Sequence, residues 1–260
     1  MALALLATLA GCERFRRKHI PVETLEELGY PSCGAQVLGP GEVLAEEHLR
    51  SGPTHNDRNI VERYSVRARD CVVAFSARQE WPLGATDVEV LYDRALMPLR
   101  IWKRMTVPGL KDAGAKAEIR RYELRTDPVG IKWRAPSGKV AFEQLKGGRP
   151  RAVIGPGRGM LSMWIRRARL APGQKVRELV IDVRALEKIE PVTLLREPDM
   201  MHPELGPVRV YTFYGRETVF ANEQDLVIGD LAGLRPDRTL TTPAPPPIPL
   251  FGIVDPANTP

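Results

Sequence analysis

The run Leu99-Arg-Ile-Trp-Lys-Arg-Met105 alternates apolar with charged or polar side chains. A period of two is the pattern of a strand with one buried face, so Leu99, Ile101 and Met105 are expected on one side of a sheet. Similar short runs recur about every ten residues between Ile60 and Ile228, and turn residues separate them. The pattern predicts a mainly β fold, an antiparallel curved sheet or half-barrel of about ten short strands.

The strand candidates that follow this pattern share short length and β-branched or aromatic residues. Besides the run above, they lie at residues 64–69, 71–75, 88–92, 119–125, 131–133, 140–142, 152–154, 176–183, 192–195, 208–214, 218–221 and 226–228. One amphipathic helix over residues 159–170, with Met160, Met163 and Trp164 on one face, is expected to pack on the sheet. Two further short helices are predicted near residues 22–28 and 42–49.

Composition divides the chain into four parts. Residues 1–11 read as a signal peptide, 12–59 as a tether and irregular segment, 60–234 as the β-rich domain, and 235–260 as a proline-rich tail. A length of 260 residues and a charged fraction of 27% argue against wholesale disorder and against a multi-span membrane protein.

The first twelve residues carry no charge and end in Leu9-Ala10-Gly11-Cys12, which resembles the lipobox of bacterial lipoproteins. The resemblance implies cleavage before Cys12, a diacylglyceryl group on its thiol and acylation of the new amine. It also implies an envelope location, with the periplasmic face of the outer membrane as the default expectation. The signal departs from the usual pattern because no basic residue precedes its apolar stretch.

Cysteine usage agrees with export. If Cys12 carries lipid, Cys33 and Cys71 remain as an even pair, which an oxidising periplasm would allow to form a disulfide. Two separate buried thiols are the alternative. No two cysteines are close enough for a Cys-x-x-Cys zinc or redox motif.

The later part of the chain resembles an uncharacterised family of Gram-negative envelope proteins. The resemblance is carried by Leu161-Ser162, Ile165-Arg-Arg167, Leu170-Ala-Pro-Gly173 and Glu204-Leu-Gly-Pro-Val-Arg-Val-Tyr211. It implies a half-barrel fold related to the periplasmic lipoprotein carriers, with a concave sheet able to hold an acyl chain. It supplies no catalytic residues.

Catalytic and cofactor motifs are not found in the sequence. Ser162 lacks the flanking glycines of a nucleophile elbow, and neither Walker nor dinucleotide glycine patterns occur. The pairs His55 with Asp57 and His202 with Glu204 supply two ligands each, which is too few for a metal site. The sequence therefore predicts no enzyme activity, no metal and no cofactor. The loop Gly155-Pro-Gly-Arg-Gly159 resembles a phosphate cradle, but a tight strand-to-helix turn is the favoured interpretation.

Residues 144–177 contain nine cations and no acid, although the whole chain has a net charge of only +6. The candidates for an anion or lipid site in this block are Arg149, Arg151, Arg158, Arg166, Arg167 and Arg169. The alternative is a set of solvated cations paired with acids elsewhere in the fold.

These features predict a lipid-anchored, non-catalytic binding or assembly module of the cell envelope. Its expected partners are the membrane, through the anchor, and an acyl chain, an anionic amphiphile, peptidoglycan or an envelope protein. Two alternatives stay open: an envelope hydrolase with a non-standard site, and a basic cytosolic protein that binds nucleic acid. Few aromatic residues and no recognised module weigh against the second alternative.

Overall fold

A computed structural model describes residues 42–51, 59–69, 72–82, 84–106, 117–135, 137, 139–184 and 187–239. These residues form sixteen strands and one helix. The strands are β1 (Glu42–Ser51), β2 (Val61–Arg69), β3 (Val72–Trp81), β4 (Gly84–Tyr92), β5 (Pro98–Thr106), β6 (Glu118–Glu123), β7 (Val129–Arg134), β8 (Val140–Leu145), β9 (Ala152–Ile154), β10 (Lys175–Asp182), β11 (Lys188–Arg196), β12 (Met200–His202), β13 (Gly206–Phe213), β14 (Glu217–Ala221), β15 (Val227–Asp230) and β16 (Leu234–Pro236). The helix is α1 (Leu161–Ala168), and a 3-10 turn (Arg158–Met160) precedes it.

The strands form two sheets. The larger has nine strands in the order β16-β1-β2-β3-β4-β5-β6-β7-β8, so chain neighbours pair side by side as an antiparallel meander. The smaller follows the order β15-β14-β13-β11-β10-β9, with β12 paired to β13. The chain passes from the larger sheet to the smaller after β8, and β16 returns to pair with β1.

The helix lies in the one parallel crossover among the described strands. The chain runs from β9 through the 3-10 turn and α1 to β10, and β9 and β10 pair in parallel, with Ala152 opposite Val180. A parallel pair needs such a crossover, whereas antiparallel neighbours in the chain, such as β13 and β14, can be joined by a short turn. Five consecutive helix residues, from Leu161 to Ile165, are buried.

The helix joins the two halves of the core. Met160 and Met163 pack in a cluster with the inner face of the larger sheet, including Tyr64, Phe75 and Ile101. Its other buried side chains, Leu161, Trp164 and Ile165, pack in a second cluster with the smaller sheet, including Val192, Phe213 and Val227. The apolar face of the larger sheet is therefore filled by protein, and this packing fixes the position of the loop before α1.

The predicted mainly β fold with a single amphipathic helix is confirmed. The strand number was wrong, because sixteen strands are present in the described part rather than about ten. The helix expected near residues 42–49 was also wrong. That segment is β1, which pairs with β2 and buries Leu49 completely, so tertiary pairing overrides its local helix propensity.

Several predictions fall outside the described residues. They are the signal peptide, the part of the tether before Glu42, the helix near residues 22–28 and the tail beyond Thr239. In the described part of the chain, no helix has the length and hydropathy needed to cross a bilayer.

Candidate functional site

The glycine-rich loop before α1 binds a side-chain carboxylate of the same chain. The carboxylate of Glu62, which points inward from β2, accepts hydrogen bonds from the backbone amides of Arg158 at 2.8 Å and Gly159 at 2.6 Å. Glu62 is fully buried, and burial raises its pKa from 4.5 to about 7 although both amide bonds act to lower it. The loop that resembles a phosphate cradle therefore links the two sheets through these two hydrogen bonds.

The glycines of this loop are required by close contacts. A Cβ on Gly159 would lie 2.3 Å from the ring of Tyr64, and one on Gly155 would lie 1.9 Å from Sδ of Met160. A Cβ on Gly157 would approach the carboxylate of Glu62 to 2.9 Å. The motif therefore serves packing, as the favoured interpretation of the sequence expected.

Two of the six arginine candidates meet at one acid just beyond the acid-free block. Glu178 on β10 accepts hydrogen bonds from Nη1 of Arg167 at 2.9 Å and Nε1 of Trp164 at 2.7 Å, and Nε of Arg151 lies 3.2 Å from its carboxylate. Burial acts to raise the pKa of Glu178, but the bonds from Arg167 and Trp164 outweigh it and hold that pKa below 4.5. Glu178 therefore pairs with both cations, of which Arg167 is mostly buried and Arg151 is 56% exposed.

A third candidate, Arg158, points into a different network. Its Nε donates to Asp230 at 3.1 Å and its Nη1 to Glu217 at 2.6 Å, and Glu217 also accepts a bond from Arg184 at 2.9 Å. The structure thus does not bring Arg151, Arg158 and Arg167 together on one free surface.

The other three candidates have no ion pair with any residue in the described ranges. Arg149 precedes β9 and is exposed, and Arg166 is half-buried on α1. Arg169 is exposed and ends α1 in the left-handed conformation, with a φ of 46°. The possibility that they contact an anion stays a prediction.

The remaining candidates divide between described and undescribed residues. Cys12, Cys33, Cys71, His55 and Asp57 lie outside the described residues. His202 is buried, and its Nδ1 accepts hydrogen bonds from the backbone amides of Glu204 at 3.1 Å and Leu205 at 3.3 Å. His202 therefore has a structural role in the turn between β12 and β13. Among the described residues, no group of three His, Cys, Asp or Glu side chains is placed to hold a metal ion.

A concentration of positive charge lies instead on the outer face of the larger sheet, across β5 to β8. The strand registers define two neighbouring rows of side chains on this face. One row contains Arg104, Ile119, Arg134 and Val140, and the other contains Trp102, Arg121, Lys132 and Phe142. We call these eight residues the basic face. It has four cations and no acid, and apolar side chains fill its other four positions.

Two guanidinium groups of the basic face, those of Arg104 and Arg134, are incompletely satisfied. Nε of Arg104 and Nε of Arg134 are buried and have no hydrogen-bond partner in the described part of the structure. The ammonium of Lys132 lies 5.6 Å from the ring centroid of Phe142. Desolvating a cation without a counter-charge is costly, so an anion placed on this face would lower the free energy of the guanidinium groups.

The charges next to the basic face are arranged differently. In the adjoining row, Arg100 donates to Glu123 at 3.1 Å, and on β3 and β4 Arg78 donates to Asp87 at 2.9 Å. Both rows continue on β4 into acids, with Asp87 opposite Arg104 and Glu89 opposite Trp102, so the acid-free patch is confined to β5 to β8. Two of its apolar residues protrude, since Phe142 is 76% exposed and Val140 is 42% exposed.

The alternation of side chains along the strands predicts this face, although counting charged residues along the sequence does not reveal it. The alternation that places Leu99 and Ile101 in the core places Arg100, Trp102 and Arg104 on the opposite side of β5. The same holds for Lys132 and Arg134 around the buried Ile131. Charges counted by sheet face reveal the patch, whereas charges counted in sequence point to residues 144–177.

A buried cluster of titratable groups lies on the inner side of the same sheet. Nζ of Lys103 donates to the backbone carbonyl of Val183 at 2.7 Å and lies 3.5 Å from the carboxylate of Glu187. Arg120 and Tyr122 also bond to Glu187. Burial lowers the pKa of Lys103. These groups satisfy one another and tie β5 and β6 to the segment after β10.

A groove of about 1060 Å³ runs along β1 and β16 beside the turn after β12. Its lining is mostly charged and includes Glu47, His48 and Arg238. Arg235 crosses it to bond with Glu204 at 2.7 Å. The groove is therefore polar and partly closed by its own ion pairs.

No family model matches the chain, and no curated protein matches it. One solved structure, a DUF1089 family protein from Pseudomonas aeruginosa, is similar with a TM-score of 0.41 and 14% sequence identity. The match covers 65% of this chain and 88% of that one.

Proposed function

We propose that this protein is a non-catalytic binding module of the bacterial cell envelope, anchored by lipid on Cys12, and that its basic face binds an anionic amphiphile. The observation that carries the proposal is the composition of that face. Four cations and four apolar residues share two neighbouring rows, without a single acid among them.

The charge on this face favours an anionic group. Phosphate and carboxylate groups match the donor geometry of arginine, and charge-assisted hydrogen bonds are stronger than neutral ones. Arg104 and Arg134 occupy the same row and lie two strands apart, which is about 10 Å at ordinary strand spacing. Lys132 lies on the same strand as Arg134, so one anionic group can approach both cations.

The apolar residues favour an amphiphile over a simple ion. Phe142 is largely exposed, and Val140 is exposed on the same strand. An apolar chain attached to the anionic group would cover these side chains and remove their surface from water. The proposal thus keeps the anionic amphiphile that the sequence suggested and assigns it to the outer face of the larger sheet.

The anchor and the binding face are tested separately. Metabolic labelling with a palmitate analogue should label the wild-type chain and not the Cys12→Ala variant, which should also leave the membrane fraction. An unlabelled wild-type chain would contradict the lipid anchor.

Binding is tested with the full chain carrying Cys12→Ala, titrated with a short-chain phosphatidylglycerol below its micelle concentration. The phosphatidylcholine of equal chain length is the control ligand. The paired change Arg104→Gln and Arg134→Gln should weaken phosphatidylglycerol binding at least tenfold, about 1.4 kcal/mol. Arg177→Gln, which removes an exposed cation from β10, should leave binding unchanged. Equal binding of both lipids, or equal loss in all variants, would contradict a specific anion site.

A further inference from the structure

We infer that the occupant of the basic face is the surface of an anionic lipid bilayer, with Phe142 and Val140 entering the interface between headgroups and acyl chains. The inference rests on the proposed function and names the partner of the same site. It commits to a membrane surface rather than a single enclosed lipid.

The position of the apolar residues supports a surface contact. β8 is an edge strand, and among the described strands it pairs only with β7. Phe142 projects from the outer face of this edge strand with 76% of its surface exposed, and Val140 lies two residues away on the same face. Exposed aromatic and aliphatic side chains on an edge strand can reach into a planar interface, whereas a binding cavity would enclose them.

The cations lie immediately behind these apolar tips. Lys132 and Arg134 are opposite Phe142 and Val140 on the neighbouring strand, and Arg121 and Arg104 continue the two rows. A row of four strands spans about 14 Å at ordinary strand spacing, so the face is wide enough to contact several headgroups. An exposed apolar edge backed by lysine and arginine is the arrangement by which peripheral proteins bind anionic membranes.

The proposed lipid anchor makes a weak surface contact effective. A chain tethered at Cys12 stays near the bilayer, so the second contact becomes intramolecular and needs little affinity of its own. The basic face would then set the orientation of the sheet, with the edge strand β8 at the membrane and the other edge strand, β16, farther from it.

The test is co-sedimentation of the full chain carrying Cys12→Ala with vesicles of phosphatidylcholine alone or with 30% phosphatidylglycerol. Phe142→Ser should reduce binding to the anionic vesicles at least fivefold. Met201→Ser is the matched control, because Met201 is 72% exposed on β12, in the other half of the fold. All variants retain residues 1–11, so any vesicle binding by that apolar segment is common to them.

The charged half of the contact is tested in the same assay. Lys132→Gln with Arg134→Gln should weaken binding to anionic vesicles at least tenfold, and Arg177→Gln should not. Binding of the Cys12→Ala chain should also fall steeply as salt is raised from 50 to 300 mM, since screening weakens exposed charge contacts.

The outcomes separate this inference from the proposed function. Binding of monomeric phosphatidylglycerol without binding of anionic vesicles would overturn the inference and leave the proposed function intact. Equal losses in Phe142→Ser and Met201→Ser would overturn it as well. A single-stranded oligonucleotide that binds more tightly than vesicles, and loses affinity in the same variants, would replace the membrane with nucleic acid as the partner.

Discussion

The carboxylate of Glu62 on β2 accepts a hydrogen bond from the backbone amide of Gly159, at 2.6 Å, in the interior between the two sheets. The two residues are 97 positions apart in the chain. This bond fastens the loop before α1 to the larger sheet, so the protonation state of one buried carboxyl bears on how the two halves of the molecule are held together.

Glu62 predicts a specific pH dependence of stability. Burial raises its folded-state pKa from 4.5 to about 7, so between these values the folded chain binds a proton that the unfolded chain lacks. The stabilising contribution is therefore present at low pH and is lost as the pH rises through 7. The free energy of unfolding of the wild type, minus that of Glu62→Gln, should fall by up to about 3 kcal/mol between pH 5 and pH 8. Urea unfolding at four pH values measures it, and a difference that does not change with pH would contradict the assignment.

The loop glycines predict a steep cost for the smallest side chain. Gly159→Ala places a Cβ 2.3 Å from the ring of Tyr64, which is itself fully buried, so the ring or the loop must move. We expect a loss of about 2–3 kcal/mol in unfolding free energy. Gly130→Ala is the control, because no atom lies within 4 Å of its Cβ position, and it should change stability by less than about 0.5 kcal/mol. Similar losses in both variants would show that the close approach to Tyr64 is not decisive.

Period-two alternation predicted the strand class of most of the β-rich region, because burial of one face imposes that pattern on each strand. It could not predict β1, whose sequence Glu42-Val-Leu-Ala-Glu-Glu-His-Leu is compatible with a helix until β2 is available as a partner. Nor could it predict β12 and β16, which are three residues long and are defined by their pairing with β13 and β1. Short edge strands depend on distant partners that local sequence does not show.

The candidate site was harder to predict, because charge in a β protein is organised by face and register. The acid-free block of residues 144–177 is prominent in sequence, yet Glu178 follows it directly and pairs with Arg151 and Arg167 across the fold. The basic face draws its cations from β5, β6 and β7, and acids such as Glu118 and Glu123 lie between them in sequence. The pairing registers of β5 to β8 are needed to show that those acids lie outside the two rows of the basic face.

Glu178 predicts a second, opposite pH dependence. Burial acts to raise its pKa, but the bonds from Arg167 and Trp164 lower it below 4.5, so this carboxylate stabilises the fold above its unfolded pKa. That contribution is lost as the pH falls through the lowered folded value. Glu178→Gln should therefore destabilise the protein at pH 7, by about 1–3 kcal/mol, and should cost less at pH 3. Glu223→Gln, at an exposed position, is the control and should have no effect at either pH. Thermal unfolding of the wild type and both variants at pH 7 and pH 3 measures these losses of stability. An equal loss for Glu178→Gln at both pH values would argue against a stabilising charged pair.

The number of cysteines predicts a disulfide between Cys33 and Cys71 that alkylation and intact mass can detect. Export to an oxidising compartment would allow the pair to form a disulfide, and Cys12→Ala removes the third thiol. The Cys12→Ala chain, directed to the periplasm by an added cleavable leader, should gain no alkyl groups when it is denatured in iodoacetamide without reductant. The same sample should gain two groups after reduction, and intact mass measures both. Two groups gained before reduction would show separate thiols.

In the bridged protein, Cys33→Ser with Cys71→Ser should lower the free energy of unfolding by about 2–4 kcal/mol, because the unfolded chain loses a loop constraint. If the thiols are separate, no loop constraint is lost. The double variant should then lower the free energy of unfolding only by the amount that replacing each thiol with a hydroxyl costs.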